Sequence, residues 1–116
     1  MTVSASEASL RILRALGAPA RLEICWLLAQ GEQAVADIAA TLQLAQPLAS
    51  HHLKALKAAR LVKPRRQGSW TYYALRPEAI SLLAEEFASL VSAHETAWAA
   101  TTKGGGPTTR RRAPSA

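Results

Sequence analysis

Val35-Ala36-Asp37-Ile38-Ala39-Ala40-Thr41-Leu42, Gln43-Leu44-Ala45-Gln46 and Pro47-Leu48-Ala49-Ser50-His51-His52-Leu53-Lys54-Ala55-Leu56-Lys57-Ala58-Ala59 follow one another without a break and decide the fold. The first run has the apolar spacing of a short helix, the second is a four-residue connection, and the third is a longer helix. This is the layout of a helix-turn-helix. Pro47 suits a first helical turn, where its missing N–H has no intrahelical partner to lose. Leu48, Leu53 and Leu56 are expected to face inward, with Ser50, His51, Lys54 and Lys57 on the other side. Consecutive helical residues are about 100° apart, so His51 and His52 point in different directions. His51 is expected outward and His52 turned back toward the body as a hydrogen-bonded structural residue.

On the C-terminal side, Leu61-Val62-Lys63-Pro64-Arg65-Arg66 and Trp70-Thr71-Tyr72-Tyr73-Ala74-Leu75 read as two strands around Gln67-Gly68-Ser69. The β-branched and aromatic residues beside a glycine-containing turn make a hairpin. Pro64 cannot donate to a ladder, which assigns its strand to an edge. A hairpin directly after a helix-turn-helix is a wing, and its tip carries Arg65, Arg66 and Gln67. On the N-terminal side, Glu7 to Leu16 is helical and Gly17 is expected to end it as a left-handed C′ residue. Pro19 opens a second helix in which Leu22, Ile24, Cys25, Leu27 and Leu28 are dense enough to predict the most buried element. Gln30-Gly31-Glu32 closes it.

The longest helix is expected from Pro77 to about Thr101, with Ile80, Leu83, Phe87, Leu90, Val91, His94 and Trp98 on one stripe. So small a domain has little left to cover such a stripe, which points to packing on a second copy. The predicted fold is mainly α with a small β-hairpin wing: a dimeric winged helix-turn-helix with five main helices. Residues 1–101 are expected to form a DNA-binding and dimerisation domain, and residues 102–116, with Arg110, Arg111 and Arg112, a disordered basic tail.

Charge is sorted by segment. Residues 45–76 hold seven basic side chains (Lys54, Lys57, Arg60, Lys63, Arg65, Arg66, Arg76) and no acid, whereas residues 1–44 sum to −1 and residues 77–101 to −4. The tail restores a total of +6. A charge that served solubility would be spread over every helix, so this sorting implies one face built for a polyanion. The 116 residues suit one domain, and Ala and Leu dominate over six aromatics, which favours helices. One cysteine excludes an intramolecular disulfide and a thiolate metal cluster, and its apolar neighbours make Cys25 a buried, inert thiol. The N-terminus has no basic n-region followed by a long apolar run, and no segment approaches a membrane span, so a soluble, cytoplasmic, nucleoid-associated protein is expected. There is no glycine-rich phosphate loop, no spaced Ser/His/Asp set, and Glu85 and Glu86 point to different sides of a helix. No enzyme and no cofactor are expected.

In a helix-turn-helix the start of the second helix enters the major groove. Its polar residues here are Gln46, Ser50, His51 and Lys54. Gln pairs with adenine, Ser and His bond to base edges or phosphates, and Lys suits guanine or phosphate. Three segments, Leu16-Gly17-Ala18-Pro19-Ala20-Arg21-Leu22, then 44–56, then Gly68-Ser69-Trp70-Thr71-Tyr72-Tyr73-Ala74-Leu75, together resemble the ArsR/SmtB family of winged-helix transcriptional repressors. The resemblance runs over roughly residues 8–98. It implies a homodimer joined by the first and last helices, through Leu10, Leu13, Leu83, Phe87, Leu90, Val91 and Trp98. It also implies binding to an imperfect palindrome in double-stranded DNA at a promoter, with release by an inducer, here unidentified. Gln46, Ser50 and His51 then touch DNA, and Arg65 and Arg66 hold phosphates.

The chain departs from the family in the sensing positions. Members that detect arsenic or cadmium carry a Cys-x-Cys type motif where Ala34 and Ala36 stand. Members that detect zinc, cobalt or nickel use acidic and histidine ligands where Pro77, Ala79, Leu90 and Ala93 stand. His94 and Glu95 lie nearby in a different register, so no metal is expected at the usual sites. A second reading of the residues is a winged-helix module for protein interaction or non-specific DNA binding; the acid-free stretch 45–76 weighs against protein docking.

Overall fold

A computed structural model describes residues 6–101; the predicted basic tail, 102–116, lies outside the described residues. In chain order the elements are α1 (Glu7–Ala15), α2 (Pro19–Leu28), β1 (Gln33–Ala34), α3 (Val35–Leu42), α4 (Gln46–Ala58), β2 (Val62–Gln67), β3 (Trp70–Leu75) and α5 (Pro77–Thr101). They fall into two units, Met1–Ala84 and Glu85–Ala116, and α5 crosses the boundary.

In the first unit, Ser6 caps α1 by accepting the Ser9 N–H at 3.0 Å, and Glu7 and Arg14 sit at the helix ends that favour their charges. Gly17 ends this helix without the left-handed conformation expected of it; the positive-φ glycines of the described chain are Gly31 and Gly68. Space explains the residue instead, because a Cβ at position 17 would lie 3.3 Å from the Arg14 carbonyl oxygen. Helix α2 also departs from expectation. Ile24, Cys25 and Leu28 are buried, but Leu22 is 46% and Trp26 69% exposed. Leu22 and Trp26, four residues apart, form a stripe of their own that meets no core, and apolar density alone does not tell which stripe is covered.

The helix-turn-helix is built on two left-handed caps. Gln43, at φ 57°, ends α3, with Leu44 N–H bonded to Ala39 O at 2.9 Å and Gln43 N–H to Ala40 O at 3.2 Å. Arg60, at φ 64°, ends α4 in the same way, with Leu61 N–H on Leu56 O and Arg60 N–H on Lys57 O, both at 2.9 Å. Both are Schellman motifs, and in the second the accompanying apolar contact is Leu61 with Leu56, each fully buried. The turn that aims α4 is therefore fixed by backbone hydrogen bonds. Helix α4 starts at Gln46, one residue before the expected start. Its buried residues are Ala49, Leu53 and Leu56, and Leu48, expected inward, is 44% exposed. Residues 49, 53 and 56 share one helical face, and position 48 lies about 100° off it.

The sheet has three strands in the order β1-β3-β2. Strand β2 is the edge required by Pro64, and β3 is central because the two-residue β1 pairs Gln33 with Tyr73 and Ala34 with Tyr72. The hairpin turn is Gly68-Ser69 between the paired residues Gln67 and Trp70, with Gly68 at φ 64°, a conformation open to glycine. Leu61 is not in the strand: its N–H is taken by α4 and its carbonyl accepts Arg76 N–H at 2.8 Å. The core gathers Ile12, Ile24, Leu28, Ile38, Leu53, Leu56, Leu61 and Val62, joined by Ala79 and Leu83 from the start of α5. Leu83, expected at a dimer interface, is thus a core residue at 8% exposure, because it lies in the part of α5 that belongs to the first unit. In the second unit, Phe87, Leu90, Val91 and Trp98 are all exposed, and the His94 and Trp98 rings stack with centroids 6.3 Å apart.

Candidate nucleic-acid interface

The N-terminal part of α4 presents Gln46, His51 and Lys54 to solvent, with Ser50 half-buried beside them. No side chain caps the start of this helix and no acid occupies its first turn. The positive end of the helix dipole is therefore not offset locally, which favours an anion there. His52 points the other way: Arg21 Nε donates to its Nδ1 at 3.1 Å, and Arg21 Nη1 donates to Ala15 O at 3.3 Å. Burial, then the charges of Arg21 and His51, hold the His52 imidazole below the usual histidine pKa. It is accordingly a neutral acceptor that ties the inner side of α4 to α2.

The wing divides its basic residues into two groups. Arg65 Nε and Nη2 each donate to the Glu32 carboxylate at 2.8 Å, Arg65 Nη1 donates to Gln67 Oε1 at 2.7 Å, and the guanidinium carbon lies 4.8 Å from the centre of the Tyr72 ring. The hydrogen bonds from Arg65 keep the Glu32 carboxyl below its ordinary value of 4.5, so the pair is fully formed at neutral pH. Arg66, one residue on, points to the opposite side of the strand and is exposed. Neither Glu32 nor Tyr72 was singled out by the sequence. Tyr72 stands directly opposite Arg65 in the β2–β3 ladder, and the pairing of β1 with the other edge of β3 brings Glu32 within reach across it. Arg76 is also paired, its Nε 3.1 Å from the Glu78 carboxylate. Lys54, Lys57, Arg60, Lys63 and Arg66 are exposed with no salt bridge among the described residues.

Residues 18–63, from the cap of α2 to the start of β2, match the model of the arsR family of bacterial regulatory proteins. An uncharacterised HTH-type transcriptional regulator of Methanocaldococcus jannaschii is 44% identical over 58% of this chain and 76% of its own length. A transcriptional repressor SmtB homolog of Synechocystis is 34% identical over 76% of this chain and 67% of its own. The solution structure of a homodimeric winged helix-turn-helix DNA-binding domain from Mycobacterium bovis, a possible ArsR-family regulator, superposes with a TM-score of 0.62 at 33% identity, covering 80% of this chain and 91% of that one. The chain belongs to the ArsR/SmtB family. It is a DNA-binding transcriptional regulator, and α3 and α4 are its helix-turn-helix.

Within this ArsR/SmtB chain, no three of the His, Cys, Asp and Glu side chains among the described residues are grouped closely enough to hold a metal ion. The Cys25 thiol is buried, and burial pushes its pKa up to about 11. It is protonated at neutral pH and correspondingly unreactive. No helix among the described residues is long and apolar enough to cross a membrane.

Proposed function

We propose that this ArsR/SmtB member is a homodimeric repressor acting on the chromosome in the cytoplasm, reading an imperfect palindrome and responding to no metal at the family's usual sites. The observation that carries this reading is the acid-free start of α4, with Gln46, His51 and Lys54 exposed next to a wing whose Arg66 is open to solvent. Two recognition helices in a dimer enter successive major grooves roughly 34 Å apart. Gln46, Ser50 and His51 read base edges, Lys54 and Arg66 hold phosphates, and Gln67 lies at the wing tip. The homodimeric Mycobacterium bovis relative supports the assembly, as do the exposed apolar residues Leu10 and Leu13 on α1 and Phe87, Leu90, Val91 and Trp98 on α5.

The test is fluorescence anisotropy on DNA from upstream of the protein's own gene, with random DNA as competitor and salt varied. His51→Ala is expected to cost roughly 1–3 kcal/mol on the operator and almost nothing on random DNA. Arg66→Gln is expected to weaken both DNAs and flatten the salt slope by roughly one. Equal losses on both DNAs for the two variants would remove His51 from base readout.

Arg65 contributes only as far as a phosphate competes with Glu32 for its guanidinium. Glu32→Gln is therefore expected to tighten binding to operator and random DNA alike, by a few-fold, and to steepen the salt slope by about one. An exposed ion pair adds little to stability, so the melting temperature should stay where it is. A variant with unchanged salt dependence would mean that Arg65 serves the wing's structure and not DNA.

A further inference from the structure

The three arginines of the N-terminal segment converge on one place. Arg11 and Arg14 of α1 and Arg21 of α2 line an open cavity of about 300 Å³ whose remaining wall includes Ala55 and Ala58 of α4 and Ala59, which caps that helix. No acidic residue lines it. Its volume is at the lower end of the range of small-molecule sites. Arg21 is half-buried there, and of its five N–H donors the hydrogen bonds to His52 and Ala15 use two. The alanine side chains leave the space empty and bring no acceptor; among the backbone carbonyls of the wall, that of Ala15 accepts from Arg21.

We propose that this hollow is a binding site for a small oxyanion of the phosphate or carboxylate class, held by Arg11, Arg14 and Arg21. Three guanidinium groups around one hollow repel one another when no carboxylate stands among them, and a dianion reverses the sign of that interaction. Guanidinium donors match the oxygens of phosphate or carboxylate in paired hydrogen bonds. Ala55 and Ala58 follow His51 and Lys54 by four residues each, so the hollow adjoins the C-terminal end of the exposed face of α4, and Arg21 joins it to His52 on the inner side. The anion has two possible sources, a free metabolite or a phosphate of the DNA backbone, and the chemistry is the same for both. The inference does not depend on the repressor reading, since binding is measured first without DNA.

The experiment titrates inorganic phosphate into the full chain at constant ionic strength, following the arginine Nε–H and backbone amide resonances by NMR. Saturable shifts are expected at Arg11, Arg14, Arg21 and residues 55–59, with a Kd of about 1 mM or tighter. Arg11→Gln with Arg14→Gln should weaken phosphate at least tenfold, and Ala58→Glu, which puts a carboxylate in the hollow, should abolish its binding. Shifts that stay linear, or that appear equally at Lys54, Lys57 and Arg66, would reduce the effect to general screening and overturn the proposal. So would full phosphate affinity in a double variant whose thermal melt is unchanged. With the site established, operator DNA separates the sources. Phosphate that still binds the DNA complex, with an unaltered salt slope in the double variant, identifies a free ligand. Exclusion of phosphate by DNA, with a slope lowered by roughly two, identifies the backbone.

Discussion

Leu90→Glu, combined with Phe87→Glu, is expected to leave the protein monomeric at micromolar concentration and to lower its operator affinity by roughly two to three orders of magnitude. Leu90 is 66% and Phe87 48% exposed in the single chain, so neither has a role in the core of the first unit that its loss would disturb. In a two-fold dimer each substitution is felt twice, because the same patch appears on both sides of the interface. Burying a large apolar side chain contributes about 1.5–3 kcal/mol, and four such side chains replaced by carboxylates exceed what a small interface can spare. The affinity loss follows from geometry. Once one half-site is engaged, the second recognition helix acts at an effective concentration in the millimolar range, and a monomer forfeits that advantage entirely. Sedimentation velocity reads the mass and anisotropy reads the affinity. A variant that stays dimeric with intact operator binding would remove this face of α5 from the interface and with it the assembly proposed here.

Periodicity made most of the architecture readable, and its failures have physical causes. The α3–α4 pair and the β2–β3 hairpin are long enough for their 3.6- and 2-residue patterns to stand out. Strand β1 is two residues long, carries no pattern, and exists because β3 offers a free edge to Gln33 and Ala34. The left-handed residues at the ends of α3 and α4 are Gln43 and Arg60, where the sequence offers neither glycine nor asparagine as a signal. Gly17 looked like such a signal and is there because of the Arg14 carbonyl. The phase of α4 was off at Leu48, since an alanine, Ala49, takes the buried position and a small residue is a weak marker of a core. In the candidate interface, the exposure of Gln46, His51 and Lys54 was legible from where a recognition helix must begin. The Glu32–Arg65 pair joins residues 33 apart in the chain, and nothing local in either segment announces it.

Leu53→Ala is expected to destabilise the fold by about 2–5 kcal/mol, the range for deleting a buried leucine side chain and leaving a cavity. Leu53 is fully buried on α4, one residue from Lys54 and two from His51, which are both exposed. The face that meets the core thus sets the angle at which the other face is presented. For a domain whose total stability is about 5–15 kcal/mol, a loss of this size leaves the native state populated at 25 °C but close to its limit at higher temperature. Urea titration at fixed protomer concentration reads the cost, since dimerisation makes apparent stability depend on concentration. Where the variant remains folded, its operator affinity should fall by no more than a few-fold, because the groups that meet DNA are unchanged. His51→Ala should show the reverse, with full stability and a reduced operator preference. A Leu53→Ala variant that kept its stability would mean that α4 is not anchored through this residue. One that stayed folded yet lost all preference for the operator would mean that the cavity tilts the recognition face itself.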